Sequence, residues 1–306
     1  MKLRDLKYLI AVAETGHFGK AAKRCFVSQP TLSSQIKKLE DHLGVKIFER
    51  TNRSVNITPV GETIIDHARK SVEQAEVIDQ IARAHRDPLA GVLRVGAIPT
   101  LSPYLTPLIL APLMEDYPQL ELVLIEETTS TLEERLRSHE IDVALLATPM
   151  KEEGIVEKQL FDEPFWLIHP KNHPLYTKEE ITRNNLAELD ILLLSEMHCL
   201  SKQVMKVCRL KERREGIMES LGAFTLETLV QLVAAGYGCT LVPALSVHGG
   251  WMIASGVIAR ELDVPEAKRR IRMVYRKSFP QPEALKVLAD VINNNLPNTV
   301  NLVTGK

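Results

Sequence analysis

The feature that most restricts the fold is an unbroken helical pattern centred near residue 72. After Pro59 there is no proline before Arg86, and the one glycine in this stretch is Gly61. Thr58 and Pro59 form a helix start, which predicts a single helix of roughly thirty residues. Apolar residues recur in it at steps of three and four: Ile65, Ala68, Val72, Ala75, Ile78 and Ala82. A narrow apolar seam is typical of a helix that packs on another helix, so we predict a linker and dimerisation helix over 59–88.

Charge is distributed unevenly along the chain. The first sixty residues carry 11 Lys and Arg against 5 Asp and Glu, a net of +6, whereas the whole chain has a net charge of −1. A basic module joined to an acidic body indicates that the first sixty residues bind a polyanion. We find no apolar run that could span a bilayer and no signal-peptide core, so we expect a soluble cytoplasmic protein.

Residues 1–58 have the pattern of a winged helix-turn-helix. Two helices follow the first, and the second of them is capped by Ser28, has Pro30 in its first turn and ends near Gly44. Short polar side chains at its front and lysines behind suit a helix that reads base edges and holds phosphates of double-stranded DNA. The candidate DNA-binding residues on this helix are Ser28, Gln29, Pro30, Thr31, Ser33, Ser34 and Lys37.

The segment KIFERTNRSVNITPVG alternates apolar and polar residues around a basic turn, which predicts a β-hairpin wing. Arg50 and Arg53 would reach the DNA backbone or a minor groove from this wing. Two such heads in a dimer would suit a palindromic pair of half-sites. The alternative is a small three-helix domain whose polar face is only solvated, and in either case Cys25 is expected to be a core thiol.

From residue 92 the pattern changes to alternating apolar strands and helices. Strands buried on both faces and linked by helices predict a doubly wound parallel α/β sheet. The segment after residue 154 carries the chain into a second α/β unit, and a late strand and helix return it to the first. We predict a two-lobed, periplasmic-binding-protein-like regulatory domain over 92–306, with lobe I about 92–162 and 268–306 and lobe II about 163–267. A ligand crevice would lie between the lobes.

Two of the four cysteines lie in the densest basic cluster of the chain, SEMHCLSKQVMKVCRLKERREG. In a reducing compartment such cysteines are buried thiols, metal ligands or reactive groups, not a disulfide framework. The spacing of His198, Cys199 and Cys208 matches no zinc pattern, and a fourth ligand is not evident, so we predict no metal and no cofactor. The chain has no phosphate loop, Rossmann fingerprint or nucleophile elbow, so we do not expect an enzyme.

The segment FGKAAKRCFVSQPTLSSQIKKLEDHLGVKIFERT closely resembles the N-terminal signature of LysR-type transcriptional regulators, and the layout of that family covers the whole chain. One departure is ITPVG, where the family more often has alanine in place of Val60. The resemblance implies a transcriptional activator that works with RNA polymerase, and a homodimer that assembles into a homotetramer through its effector domains. HCLSKQVMKVC is similar to the redox segment of the peroxide-sensing members of the family, which implies that Cys199 and Cys208 form a redox-active disulfide.

Helical spacing after Leu200 explains how such a pair could act as a switch. If 199–208 is a helix, its two cysteines are separated by a rise of about 13.5 Å. A disulfide requires Cα atoms within about 7 Å, so the bond and the helix would exclude each other. We expect Cys199, at a helix start beside His198 and several cations, to be the peroxidatic thiolate. Cys208 would then resolve its sulfenic acid.

The same resemblance implies a pocket for hydrogen peroxide near Cys199. Its expected members are Thr100, Thr129, His198, Gln203 and Arg269. For each threonine the alternative is a local cap or turn bond, and Arg269 could be a solvated charge. The rival to the whole interpretation is a LysR-type regulator that binds a small anionic metabolite between its lobes and keeps both thiols for packing.

Overall fold

The computed structural model describes residues 1–50, 55–86, 88–210, 225–247 and 255–303. It divides the chain into two compact units, residues 1–86 and 87–306. Among the described helices, none combines the length and the apolar character needed to cross a membrane.

The first unit contains the helices and the hairpin that the sequence predicts. Its elements are α1 (Leu3–Thr15), α2 (Phe18–Arg24), α3 (Gln29–Leu43), β1 (Phe48–Arg50), β2 (Val55–Ile57) and α4 (Pro59–Arg86). The Ser28 hydroxyl accepts a hydrogen bond from the Thr31 backbone N–H at the start of α3. Gly44 ends that helix in the left-handed conformation, with φ 70°, which glycine adopts without steric cost. β1 and β2 pair antiparallel as the predicted wing.

The apolar seam of α4 has two halves with different surroundings. Ile65, Ala68 and Val72 are buried in the core of the first unit itself. The prediction that the whole seam packs on a second chain is therefore wrong for this half, because α1 lies against the start of α4 and covers it. Farther along the helix, Ile78 is 67% exposed. Cys25 is half-buried at the edge of the same core, not fully enclosed in it.

The second unit is built from alternating strands and helices. The described elements are β3 (Gly91–Ala97), α5 (Ser102–Asp116), β4 (Leu120–Glu126), α6 (Thr129–Arg137), β5 (Val143–Leu146), β6 (Ile155–Pro170), a short 3-10 helix (Pro174–Thr177), α7 (Arg183–Ala187), α8 (Cys199–Cys208), α9 (Leu226–Ala234), β7 (Thr240–Pro243), α10 (Ala244–Val247), β8 (Val257–Arg260), β9 (Lys268–Arg276), α11 (Pro282–Asn294) and β10 (Asn301–Leu302). One hydrophobic core contains residues of β3, β5 and β9 and the helices packed on them. A second core contains residues of the C-terminal half of β6, of β7 and of the helices packed on those strands.

The sheet is mixed, which corrects the prediction of a wholly parallel one. β3 is parallel to both β4 and β5, but β9 is antiparallel to β5 and β6 is antiparallel to β9. The physical reason is that β6 carries the chain out of the first lobe and β9 brings it back alongside. In the second lobe, β7 and β8 are both antiparallel to β6. The segment DILLLSE forms no extended strand among the described residues; Ile191 makes an isolated parallel bridge with Cys239, and Cys239 is buried in the second core.

Candidate functional site

The segment between the paired cysteines is a continuous helix, as its spacing predicts. α8 begins at Cys199 and ends at Cys208, and both thiols are free. Leu200, Val204 and Val207 are buried on its inner side, while Lys202, Lys206 and Arg209 are exposed. At 1.5 Å per residue the two Cα atoms are about 13.5 Å apart along the axis. A disulfide between them therefore requires α8 to unwind. The rest of the basic cluster, from Lys211 onward, lies outside the described residues.

Cys208 is the buried member of the pair. It is 3% exposed and belongs to the core of the second lobe. Burial raises the pKa of the Cys208 thiol to about 11, while the positive charge of Arg183 acts weakly in the opposite direction. At neutral pH this cysteine is therefore a protonated thiol, which is a poor nucleophile.

Cys199 is half-buried and lies at the opening of a small recess. Because it is the first residue of α8, it lies at the end where the helix dipole favours negative charge. Its side chain also packs against the core of the first lobe. The recess brings together the end of β3, the start of α6 and the start of α8. Its lining consists of Ile98, Pro99, Thr100, Thr128, Thr129, Met197, His198 and Cys199. Three of the five predicted pocket residues thus lie around Cys199.

Thr129 contributes a polar atom to this recess. It is the first residue of α6, and its hydroxyl oxygen is buried without a hydrogen-bond partner among the residues that the structure describes. The local cap bond considered as its alternative role is not formed within that part of the chain. The neighbouring Thr128 hydroxyl is instead 3.0 Å from the Thr131 hydroxyl. Buried hydroxyls are nearly always hydrogen-bonded, so the Thr129 oxygen is suited to a small polar ligand.

Thr100 is hydrogen-bonded to the arginine of a buried ion pair. Arg269 donates from one guanidinium nitrogen to the Thr100 hydroxyl at 2.7 Å and from another to the Thr100 carbonyl at 2.8 Å. Its third nitrogen donates to a Glu163 carboxylate oxygen at 2.8 Å, and both charged side chains are fully buried. The reading of Arg269 as a solvated charge is therefore wrong. Arg269 does not line the recess but fixes a residue that does.

Glu163 is a site residue that the sequence analysis did not identify. Its second carboxylate oxygen accepts the Leu245 backbone N–H at 3.0 Å, so the carboxylate links β6, β9 and the α10 segment. The only sequence signal was the FDEP stretch at the middle of β6. Gln203 also lies outside the recess, and its amide nitrogen donates to the Ala147 carbonyl at 3.0 Å. That bond fastens α8 to the end of β5.

The predicted DNA-reading face lies at the surface of the first unit. Ser28, Gln29, Pro30, Thr31, Ser34 and Lys37 are exposed, and Ser33 is half-buried. The Ser28 hydroxyl is 2.8 Å from the Thr31 hydroxyl, so both take part in the helix cap. Arg53 lies outside the described residues, and only the backbone of Arg50 is described, in β1. The sequence analysis missed Glu40, whose carboxylate accepts the Ile47 and Phe48 N–H groups at 2.9 and 3.1 Å and fastens the wing to α3.

Comparison with known proteins gives two family matches that together cover nearly the whole chain. Residues 3–62 match the bacterial regulatory helix-turn-helix protein, lysR family, and residues 86–297 match the LysR substrate binding domain. A hydrogen peroxide-inducible genes activator of Pectobacterium carotovorum is 40% identical over 296 residues, which are 97% of each chain. The DNA-binding transcriptional dual regulator OxyR of Escherichia coli K12 is 40% identical over 292 residues, which are 95% of each chain.

Solved structures give the same result at the level of the fold. The full-length OxyR C199D from Pseudomonas aeruginosa superposes with a TM-score of 0.77 at 37% identity, covering 100% of this chain and 99% of that one. A hydrogen-peroxide-bound OxyR mutant from Corynebacterium glutamicum superposes with a TM-score of 0.65 at 35% identity, covering 96% of this chain and 92% of the other.

Proposed function

Because the chain belongs to the LysR family of bacterial transcriptional regulators, we propose that it is a DNA-binding regulator switched by hydrogen peroxide. One observation carries this proposal: the two thiols lie at opposite ends of a single helix, in opposite environments. Cys199 lies beside a recess with an available hydroxyl, whereas Cys208 is enclosed in a hydrophobic core. The peroxide-inducible activators and OxyR proteins described above support the choice of peroxide over a metabolite.

The first chemical step is a two-electron oxidation of Cys199. Its thiolate attacks one oxygen of hydrogen peroxide, the O–O bond breaks, and the second oxygen leaves as hydroxide and becomes water with a proton from solvent. Cys199 is then a sulfenic acid. The Thr129 hydroxyl is suited to hydrogen-bond the peroxide, and Thr100, held by Arg269, also lines the recess.

The second step joins the two cysteines. As α8 unwinds and Cys208 leaves the core, its thiol loses its proton and its sulfur attacks the Cys199 sulfur. The S–O bond breaks, and the leaving hydroxide takes up a proton and departs as a second water, so one peroxide oxidises two thiols to one disulfide. Forming this bond unwinds α8 and removes Leu200, Val204 and Val207 from their packing. Moving a two-state element from 1:99 to 99:1 requires about 5.5 kcal/mol. For a two-electron couple this equals about 120 mV, which lies within the range of protein disulfides.

A thiol map before and after a brief dose of peroxide tests this proposal. We expect peptides of Cys199 and Cys208 to become linked while Cys25 and Cys239 remain reduced and are alkylated after the protein is denatured. Cys239 is protected from peroxide because it is 1% exposed and burial raises its pKa to about 11. Trypsin cleaves after Lys202 and Lys206, so mass spectrometry resolves the two cysteines on separate peptides. Cys25→Ser is the matched control and should give the same linked pair. Four alkylatable thiols after peroxide would instead favour the metabolite-binding regulator.

DNA is the proposed partner of the first unit. The exposed front of α3 offers Gln29 and Thr31 to base edges, and Lys37 lies farther along the helix for a phosphate contact. Arg50 and Arg53 remain proposed wing contacts. As a transcriptional activator the protein would act with RNA polymerase, and its DNA partner implies the cytoplasm.

We propose that the exposed half of the α4 seam pairs with a second copy of the chain. Ile78 is 67% exposed on this helix, which is unusual for a large apolar side chain on a regular apolar repeat. In the second unit, Leu110 and Met114 of α5 and Val123 and Leu124 of β4 are also exposed, and β4 lies at the edge of the sheet formed by the described strands. These surfaces are suited to a dimer through α4 that assembles further into a tetramer.

Ile78→Glu should therefore lower the molar mass in solution. A glutamate there would face its own copy across a two-fold axis, and like charges at an apolar interface are unfavourable. Sedimentation equilibrium should show a shift toward smaller species. Arg69→Glu is the matched control, because Arg69 is exposed roughly half a helical turn from Ile78 in projection. An unchanged mass for Ile78→Glu would contradict pairing through α4.

A further inference from the structure

Phe26 combines two features that are unfavourable for the free protein. Its side chain is 95% exposed, the most exposed large apolar side chain among the described residues. Its backbone is left-handed, with φ 54°, although it is not a glycine. For a bulky residue this conformation is a steric outlier, and the exposed ring gains nothing from burial.

The local backbone explains the conformation but not the residue type. At the end of α2 the Val27 N–H donates to the Ala22 carbonyl at 3.0 Å, and the Cys25 N–H donates to the Ala21 carbonyl at 2.9 Å. The bond from Val27 spans six residues and closes a Schellman-type cap, with Phe26 as its left-handed residue. Helix ends of this type normally place glycine or asparagine there. Stability alone would therefore select a different residue at position 26.

The position of Phe26 indicates what covers it. It lies in the turn between α2 and α3, two residues before Ser28 caps the recognition helix. Gln29 and Thr31 are exposed in the next turn, and Lys23 is an exposed cation on the preceding helix. In helix-turn-helix proteins the start of the second helix enters the major groove. A large apolar side chain at this place is therefore next to the surface that the DNA would occupy.

We infer that Phe26 is a DNA-contacting residue that packs on a thymine methyl group at the edge of the recognition-helix footprint. The inference rests on the proposed DNA-binding function. Phenylalanine has no hydrogen-bonding group for a base edge, but apolar contact with the thymine methyl is an established means of reading the major groove. Backbone strain in free proteins concentrates at functional residues, and burial of the ring on DNA supplies the favourable contact that the free protein lacks.

Phe26→Asn tests the inference. The probe is a duplex that the wild-type protein selects from a random-sequence pool. We expect this variant to bind the duplex roughly tenfold more weakly, because a buried phenyl ring is lost. Its thermal midpoint should stay equal to that of the wild type or rise, because asparagine tolerates the left-handed backbone. The dependence of the binding constant on salt concentration should be the same for Phe26→Asn as for the wild type. Lys37→Ala, which removes a proposed phosphate contact, should instead reduce the slope of log affinity against log salt concentration by about one.

A base substitution identifies the contact on the DNA. Replacing individual thymines by deoxyuridine removes one methyl group at a time, and one position should weaken the wild type but leave Phe26→Asn unaffected. Phe26→Tyr keeps the ring and should keep the affinity. Leu3→Asn, at another exposed apolar residue of the same unit, should bind as the wild type does.

The remaining outcomes distinguish a failure of the inference about Phe26 from a failure of the proposed DNA-binding function. If Gln29→Ala loses binding but Phe26→Asn does not, the inference about Phe26 is wrong and the DNA-binding function stands. Phe26→Asn could also weaken binding by the same factor whether a thymine or a deoxyuridine stands at each position. In that case Phe26 contacts the DNA, but the inference that it packs on a thymine methyl group is wrong. If Phe26→Asn lowers the molar mass in solution instead, the ring is covered by another copy of the chain. If Gln29→Ala and Lys37→Ala both bind as the wild type does, the proposed function itself fails.

Discussion

Replacing Cys199 with serine is expected to abolish the response to hydrogen peroxide while the reduced fold and its DNA binding persist. Serine has nearly the same shape, but its hydroxyl does not attack peroxide and forms no sulfenic acid. Cys199 is half-buried at the start of α8, so the substitution removes little packing. We expect no linked peptide and an unchanged DNA footprint before and after peroxide, with a thermal midpoint close to that of the wild type.

Cys208→Ser distinguishes the roles of the two cysteines. This variant retains the attacking thiol, so it should consume one peroxide and form a sulfenic acid on Cys199 that a dimedone reagent traps. It should form no disulfide, and its DNA footprint should stay in the reduced pattern. A footprint that still changes in Cys199→Ser would disprove the assignment of Cys199 as the peroxide-reactive sulfur.

Replacing Arg269 with methionine is expected to have the largest effect on stability. The guanidinium and the Glu163 carboxylate are both fully buried, so the variant leaves a buried carboxylate without its partner. Breaking a buried pair in this way costs about 3–5 kcal/mol. For a unit of this size that corresponds to a fall in the thermal midpoint of roughly 10 °C. Thr100 also loses both hydrogen bonds that fix it beside the recess, so the oxidation rate of Cys199 should fall.

A double-mutant cycle that combines Arg269→Met with Glu163→Gln measures the interaction energy between the two side chains. Glu163→Gln alone leaves a buried guanidinium uncompensated, so it should also destabilise the protein. The double variant should be clearly more stable than the sum of the single losses predicts, because no unpaired charge remains. Strict additivity would contradict the pairing.

Arg270→Met provides the matched control on the same strand. Arg270 is 35% exposed, and its partner Asp162 keeps a second cation, Lys268, at 2.9 Å. The loss should therefore be about 1 kcal/mol or less. A similar loss for Arg269→Met would mean that the buried pair contributes no more than a surface one.

Local patterns in the sequence were sufficient to locate several of these features. Ser28 and Gly44 delimit α3 because a cap bond and a left-handed glycine act within a few residues of the helix end. Leu200, Val204 and Val207 predict α8 because the helical repeat places them on one side. The long apolar repeat predicted α4 with its start at Pro59, whereas the observed helix ends at Arg86, short of the predicted end at residue 88.

Contacts between distant parts of the chain left no such pattern. Glu163 and Arg269 are 106 residues apart in sequence, and their pairing depends on the register of β6 against β9. In the sequence, Arg269 is one cation in a run of three, and only the strand register decides which of them is buried. The direction of β9 was likewise missed, because the composition of a strand is the same whether it runs parallel or antiparallel to its neighbours.

The sequence by itself therefore determined the helix ends, the helical spacing of the two cysteines and the basic character of the first sixty residues. Each of these depends on interactions within a few residues or on a simple sum of charge. Only the tertiary structure decided that Ile65 and Val72 pack inside their own unit, that the Thr129 hydroxyl is left available in a recess with Cys199, and that Phe26 is exposed in a left-handed turn. Whether a side chain is buried or hydrogen-bonded depends on which segments contact each other in the folded chain. The local pattern of residues in the sequence does not specify those contacts.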